Sequence, residues 1–101
     1  MITRFVKLTF EPEKIATFID VFESSKNLIR NFEGCHHLEL LNDVNQPNVF
    51  FTLSKWESEE ALNKYRYSEL FRSVWAQTKI HFAAKPETWS LHVSSTGEKE
   101  F

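Results

Sequence analysis

The chain has 101 residues, with 12 Lys and Arg against 14 Asp and Glu for a net charge of -2. That size allows one domain with a single core, and that charge offers no electrostatic footprint for nucleic acid or an anionic membrane surface. Aromatic residues make up 15%, with ten Phe and three Trp, more ring surface than one small core readily hides, so an interface, a pocket or both are expected.

Residues 2–10 alternate, with Ile2, Arg4, Val6, Leu8 and Phe10 on one side and Thr3, Phe5, Lys7 and Thr9 on the other, the period of a strand. Glu11-Pro12-Glu13 suits the start of a helix, where proline fits the first turn and acids suit the positive end of the dipole. Ile15, Phe18, Ile19, Phe22, Ile29 and Phe32 recur at helical spacing, and Gly34 is available for a left-handed cap. Residues 36–41 read as a second strand, the segment 42–48 is dense in turn formers, and residues 49–56 read as a third strand, together an antiparallel hairpin. Ser58 reads as a helix N-cap followed by Glu59 and Glu60, with Ala61, Leu62 and Tyr65 on the buried face. Leu70, Phe71, Val74 and Trp75 continue the apolar series after a break near Tyr67-Ser68. Residues 80–84 fit a loop or a helix end, Pro86 stops any helix, and residues 88–93 form the fourth strand. Residues 1–94 are one domain and 95–101 a polar C-terminal tail.

The element order is β-α-β-β-α-β, the ferredoxin-like α+β arrangement: a four-stranded antiparallel sheet with the helices on one face. The other face is then bare, and whichever parity it takes it presents Phe5, Phe50, Trp56 or their neighbours. Two sheets packed face to face across a two-fold axis would bury them, so a homodimer closing a dimeric α+β barrel is expected.

No membrane partner is expected, because no window approaches the roughly eighteen consecutive apolar residues of a span. Met1-Ile2-Thr3-Arg4-Phe5 lacks the continuous apolar stretch of a signal peptide, and the lone Cys35 cannot form an intrachain disulfide, so a reducing, cytoplasmic setting is expected. Cys35, His36 and His37 invite a metal reading, but neighbours on a strand point to opposite faces. Only Cys35 and His37 would share one, and two ligands are too few. No glycine-rich phosphate loop exists, so neither a metal nor a cofactor is expected.

From Gly34-Cys35 through the hairpin to Trp56-Glu57-Ser58-Glu59-Glu60-Ala61-Leu62 and on to Ser68-Glu69-Leu70-Phe71, the chain resembles the antibiotic biosynthesis monooxygenase family of dimeric α+β barrels, close to its quinol monooxygenases. The resemblance implies a pocket between sheet and helices in which a small aromatic or quinol-type molecule meets dioxygen without a cofactor. Asn63, Tyr65, Arg66 and Tyr67 lie where this family keeps polar pocket groups, which implies that Tyr65 and Asn63 orient substrate and that Arg66, Tyr67, Phe71 and Trp75 bind it. His37 and His81 are the acid-base candidates. The same residues also fit blander roles, Tyr65 as an amphipathic core residue and Asn63 as solvated helix surface. Trp56 and Trp89 read as packing or dimer residues. A non-catalytic small-molecule-binding or stress-related barrel is the alternative. Haem binding or degradation is disfavoured, because the position of the iron-binding His in haem-degrading members falls on Trp75, leaving only His81 nearby in sequence.

Overall fold

The structure, a computed structural model, describes residues 1–100. It runs β1 (Ile2–Thr9), a single 3-10 turn (Pro12–Lys14), α1 (Ile15–Arg30), β2 (Cys35–Asn42), β3 (Val49–Trp56), α2 (Glu59–Arg66), α3 (Glu69–Lys79) and β4 (Glu87–Leu91). The strands form one four-stranded sheet in the order β2-β3-β1-β4, with every neighbouring pair antiparallel. This is the ferredoxin-like α+β fold.

The alternation in β1 decides the layers. Val6, Leu8 and Phe10 pack with Phe50 of β3 and with Phe18 and Phe22 of α1, so the even-numbered side of β1 faces the helices. The first helical stripe behaves as its spacing dictates, with Phe18, Phe22 and Ile29 buried. Ser25 lies in the same stripe and is tolerated because its hydroxyl donates to the Val21 carbonyl at 2.7 Å. A second cluster at the other end of the sheet joins Cys35, Trp56 and Leu62 to Ile2, Phe32 and Tyr65.

Local chemistry sets the junctions. Gly34 has φ +86°, the left-handed region that glycine enters freely, and a Cβ there would sit 2.6 Å from the Ala61 Cβ, so the glycine also permits the close approach of α2. The hairpin turn is held by Asp43, whose Oδ1 accepts from the Asn45 and Gln46 amides at 2.8 and 3.0 Å. The break at Tyr67-Ser68 is a full interruption. Ser58 caps α2 by accepting from the Ala61 amide at 3.1 Å, and Ser68 caps a separate α3 by accepting from the Phe71 amide at 3.1 Å while donating to the Tyr65 carbonyl at 2.6 Å.

The structure departs from the sequence reading at two strands. β4 ends at Leu91, which pairs with Thr3 near the start of β1, so residues 92 and 93 have little partner strand left. In β2 the register shifts between Cys35 and His37, with Cys35 opposite Trp56 and His37 opposite Lys55. This bulge inverts the parity expected for the pair: Cys35 is buried against the helices and His37 lies on the opposite face.

That opposite face carries no helix. Phe5 lies 5.1 Å from Phe51 and 6.2 Å from Trp89, ring centre to ring centre, with Leu53 and Leu91 in the adjoining register positions. Phe50 and Trp56 point into the helical layer. Polar pairs stand beside the apolar band, the Lys7–Glu87 ion pair at 3.7 Å and the His37 imidazole 3.3 Å from the Glu39 carboxylate.

Candidate functional site: an aromatic trough

α3 packs on α1 and α2 packs on β3, but neither makes an extended contact with β4. The helix side of β4 is therefore uncovered, and Thr88 and Ser90, which share that side with Val6 and Arg4 of β1, are exposed. This uncovered strip is the candidate site, an open trough with β1 and β4 as its floor and α2 and α3 as its wall.

The wall is aromatic. Trp56 stacks on Tyr65 at 4.8 Å, Tyr65 meets Phe71 edge-on at 5.3 Å, Phe71 stacks on Trp75 at 5.8 Å, and Trp75 meets Phe82 at 5.5 Å. Helical spacing produces this file, because Tyr65 follows buried Leu62 by one turn of α2 and Trp75 follows Phe71 by one turn of α3. Tyr65, Phe71 and Trp75 are each half-buried, so each ring stays partly open while held in place by its aromatic neighbours.

The floor is polar. Arg4 is paired in register with Ser54 on one side and Ser90 on the other, and its Nη1 donates to the Ser90 Oγ at 2.9 Å. Ser54 is buried and accepts from the Trp56 indole Nε1 at 2.9 Å, which fixes that ring. The Arg4 guanidinium is held below the ordinary arginine range, first by burial and then by the like charge of Arg66. The Tyr65 hydroxyl is pushed well above the usual phenol range, first by burial and second by Cys35. A phenol so shifted stays protonated near neutrality, so Tyr65 can donate a hydrogen bond to a substrate oxygen but cannot take its proton.

The expected site residues separate into four places. Tyr65, Phe71 and Trp75 form the wall. Asn63, Arg66 and Tyr67 share a neighbouring stripe of α2, with Asn63 half-buried, Arg66 exposed and Tyr67 74% exposed, so Tyr67 is a surface residue here. His37 is on the other side of the sheet, beside Glu39. His81 follows α3, where its carbonyl accepts from the Glu11 amide at 3.0 Å. That is the Phe10 end of β1, whereas Tyr65 packs at the Ile2 end, and the 8 residues of β1 span roughly 25 Å. The imidazole Nδ1 of His81 is buried without a partner. Neither histidine joins Tyr65 and Asn63. The structure adds Arg4, Ser54 and Ser90, for which the one sequence signal was a charge at Arg4 on the apolar parity of the first strand.

Among the described residues no three His, Cys, Asp or Glu side chains converge as a metal site, and no helix is long and apolar enough to cross a membrane. A separate hollow of about 310 Å³ lies between α1 and β2, with Glu23, Lys26, Arg30 and Glu39 in its lining, and it contains none of the trough rings.

Similarity to known proteins follows the architecture. An antibiotic biosynthesis monooxygenase crystal structure superposes with a TM-score of 0.88 at 17% identity, over 94% of this chain and all of that one. A candidate monooxygenase of the same name from Caulobacter crescentus gives 0.86 at 23% identity, over 93% of this chain and 90% of its own. A conserved protein from Methanosarcina mazei Go1 gives 0.84 at 21%, over 90% and 91%. No curated protein matches the sequence. The sequence profile described as antibiotic biosynthesis monooxygenase matches residues 1–77, the span from β1 through most of α3, and on that match the chain belongs to the antibiotic biosynthesis monooxygenase family.

Proposed function

We propose that the protein is a cofactor-independent monooxygenase that oxidises a small aromatic or quinol-type molecule in the trough. The observation that carries this reading is the pairing of an aromatic wall, Tyr65, Phe71 and Trp75, with the cationic floor group Arg4. Without a cofactor, the substrate must itself supply electrons to dioxygen, which an ionised phenol does far more readily than a neutral one. A guanidinium beside the ring lowers the cost of ionisation, and the protonated Tyr65 hydroxyl is a donor for a second oxygen. One hydroquinone and one dioxygen give one hydroxylated quinone and one water, with all the electrons coming from the substrate. Oxygen uptake by metal-free protein against a panel of hydroquinones and anthrones tests the reading, and no protein-dependent uptake across the panel contradicts it.

The position of the histidines favours a second reading, a non-catalytic barrel that binds the same kind of molecule. With His37 behind the sheet and His81 at its far end, no imidazole is at hand as a base beside Tyr65. Saturable quenching of tryptophan fluorescence by a hydroquinone, without oxygen uptake, distinguishes it.

We further propose that the helix-free sheet face meets a second copy of the chain. Phe5, Phe51, Leu53, Trp89 and Leu91 form a continuous apolar band there, with Trp89 41% and Leu91 48% exposed. Sedimentation should give a dimer at micromolar concentration, and a monomer refutes the pairing.

A further inference from the structure

We propose that the trough selects an aromatic carboxylate, its acid group held by Arg4 and Arg66 and its ring lying against Tyr65, Phe71 and Trp75. The inference rests on the trough as the binding site and adds the chemical class of its occupant.

Arg4 belongs to an interior strand, so its surroundings are set by its neighbours. Across the sheet these are Ser54 and Ser90, and along its own face they are Ile2 and Val6. None of these is acidic. Arg66 arrives from above. It follows Tyr65, whose ring stacks on Trp56, and Trp56 pairs with Ile2, two residues from Arg4 on the same side of the same strand. α2 thus carries a second guanidinium, on the stripe beside the wall, whose charge is felt at Arg4. Among the described residues neither arginine has a carboxylate oxygen within 4.0 Å, although Glu59, Glu60 and Glu69 lie on the neighbouring helical turns.

Two nearby cations over a partly apolar floor oppose one another, and the affinity of Arg4 for its proton is depressed first by burial and second by that opposition. An anion between them reverses its sign. The planar guanidinium fork matches a carboxylate in two parallel hydrogen bonds, and Ser90 already holds one Nη of Arg4 in place. A carboxylate attached to a flat ring would place that ring beside the aromatic file, where stacking supplies the apolar part of the affinity.

The test compares 2-naphthoate with neutral 2-naphthamide by calorimetric titration at low ionic strength, for the native protein and for Arg66→Gln and Arg4→Met. The native protein should bind naphthoate roughly tenfold or more tighter than the amide, as expected for a charge-assisted contact. Salt should shrink that preference, and each substitution should abolish it, with the larger loss falling on naphthoate. Equal affinity for the two compounds overturns the proposal, as does an Arg66→Gln protein that keeps the preference. Binding of neither compound also overturns it. Arg66 is exposed, so Arg66→Gln remains decisive if Arg4→Met fails to fold. Neither probe is a hydroquinone, so an absence of oxygen uptake counts against the oxygenase reading alone, and an absence of charge preference counts against this inference alone.

Discussion

Replacing Gly34 with alanine should be among the most damaging single-methyl changes available to this chain, and the structure separates the cost into two parts. At φ +86° an alanine pays about 1–2 kcal/mol for the left-handed backbone. Its Cβ would also lie 2.6 Å from the Ala61 Cβ, a rigid contact near the start of α2 that only a shift of the helix relieves, for about 1–3 kcal/mol of overpacking. The sum, about 2–5 kcal/mol, corresponds to a fall in melting temperature of roughly 10 °C or more for a domain of this size. Ala61→Gly removes the opposing methyl, and alone should cost about 1 kcal/mol as a helical glycine. In the double variant the overpacking disappears, so a double-mutant cycle from urea unfolding at fixed protein concentration should show a favourable coupling of about 1–3 kcal/mol. Additive effects, with coupling below about 0.5 kcal/mol, would refute the close approach as the reason for the glycine. Because the same approach seats Tyr65 on Trp56, Gly34→Ala should also weaken ligand binding in the trough.

Tyr65→Phe keeps the stack on Trp56 and removes only the hydroxyl, so turnover should fall roughly tenfold or more while stability changes by less than about 1 kcal/mol. A large loss of stability with activity intact would assign Tyr65 to packing alone. The raised pKa of Tyr65 also has a sign: above about pH 10 the unfolded chain releases the phenolic proton while the folded chain retains it. Stability should therefore fall by about 1.4 kcal/mol per pH unit in that range, and Tyr65→Phe should remove this part of the alkaline loss when melts are compared across pH. On the helix-free face, Trp89→Glu should convert the proposed dimer to monomer in sedimentation, since a carboxylate would then face the apolar band around Phe5. An unchanged dimer would place the interface elsewhere.

Local chemistry was readable wherever a residue acts through its own neighbours. The strand alternation of residues 2–10, the glycine at 34, the helix start at Ser58 and the break at Tyr67-Ser68 each have a counterpart in the structure, although α1 ends at Arg30 with Asn31 as its cap and Gly34 turns the chain three residues later. Parity arguments failed at the β2 bulge, because one extra residue between Cys35 and His37 inverts every side assignment across it and leaves no mark in composition. The candidate site was half legible for a related reason. Helical spacing brings Tyr65, Phe71 and Trp75 to one wall, but nothing in that spacing says which end of the sheet His81 reaches. Arg4 stood out as a charge on an apolar parity, yet its meaning depends on Ser90 from the far end of the chain and on Arg66 from α2.

The most direct measurement compares oxygen uptake with 1,4-naphthohydroquinone by the metal-free native protein, a Ser90→Trp variant that fills the trough from its exposed floor, and a His37→Ala variant on the opposite sheet face. The account predicts one dioxygen consumed per hydroxylated quinone by the native protein and by His37→Ala, and loss of uptake in Ser90→Trp. Uptake that survives a filled trough, or that disappears with His37, would contradict the assignment of oxygen chemistry to this site.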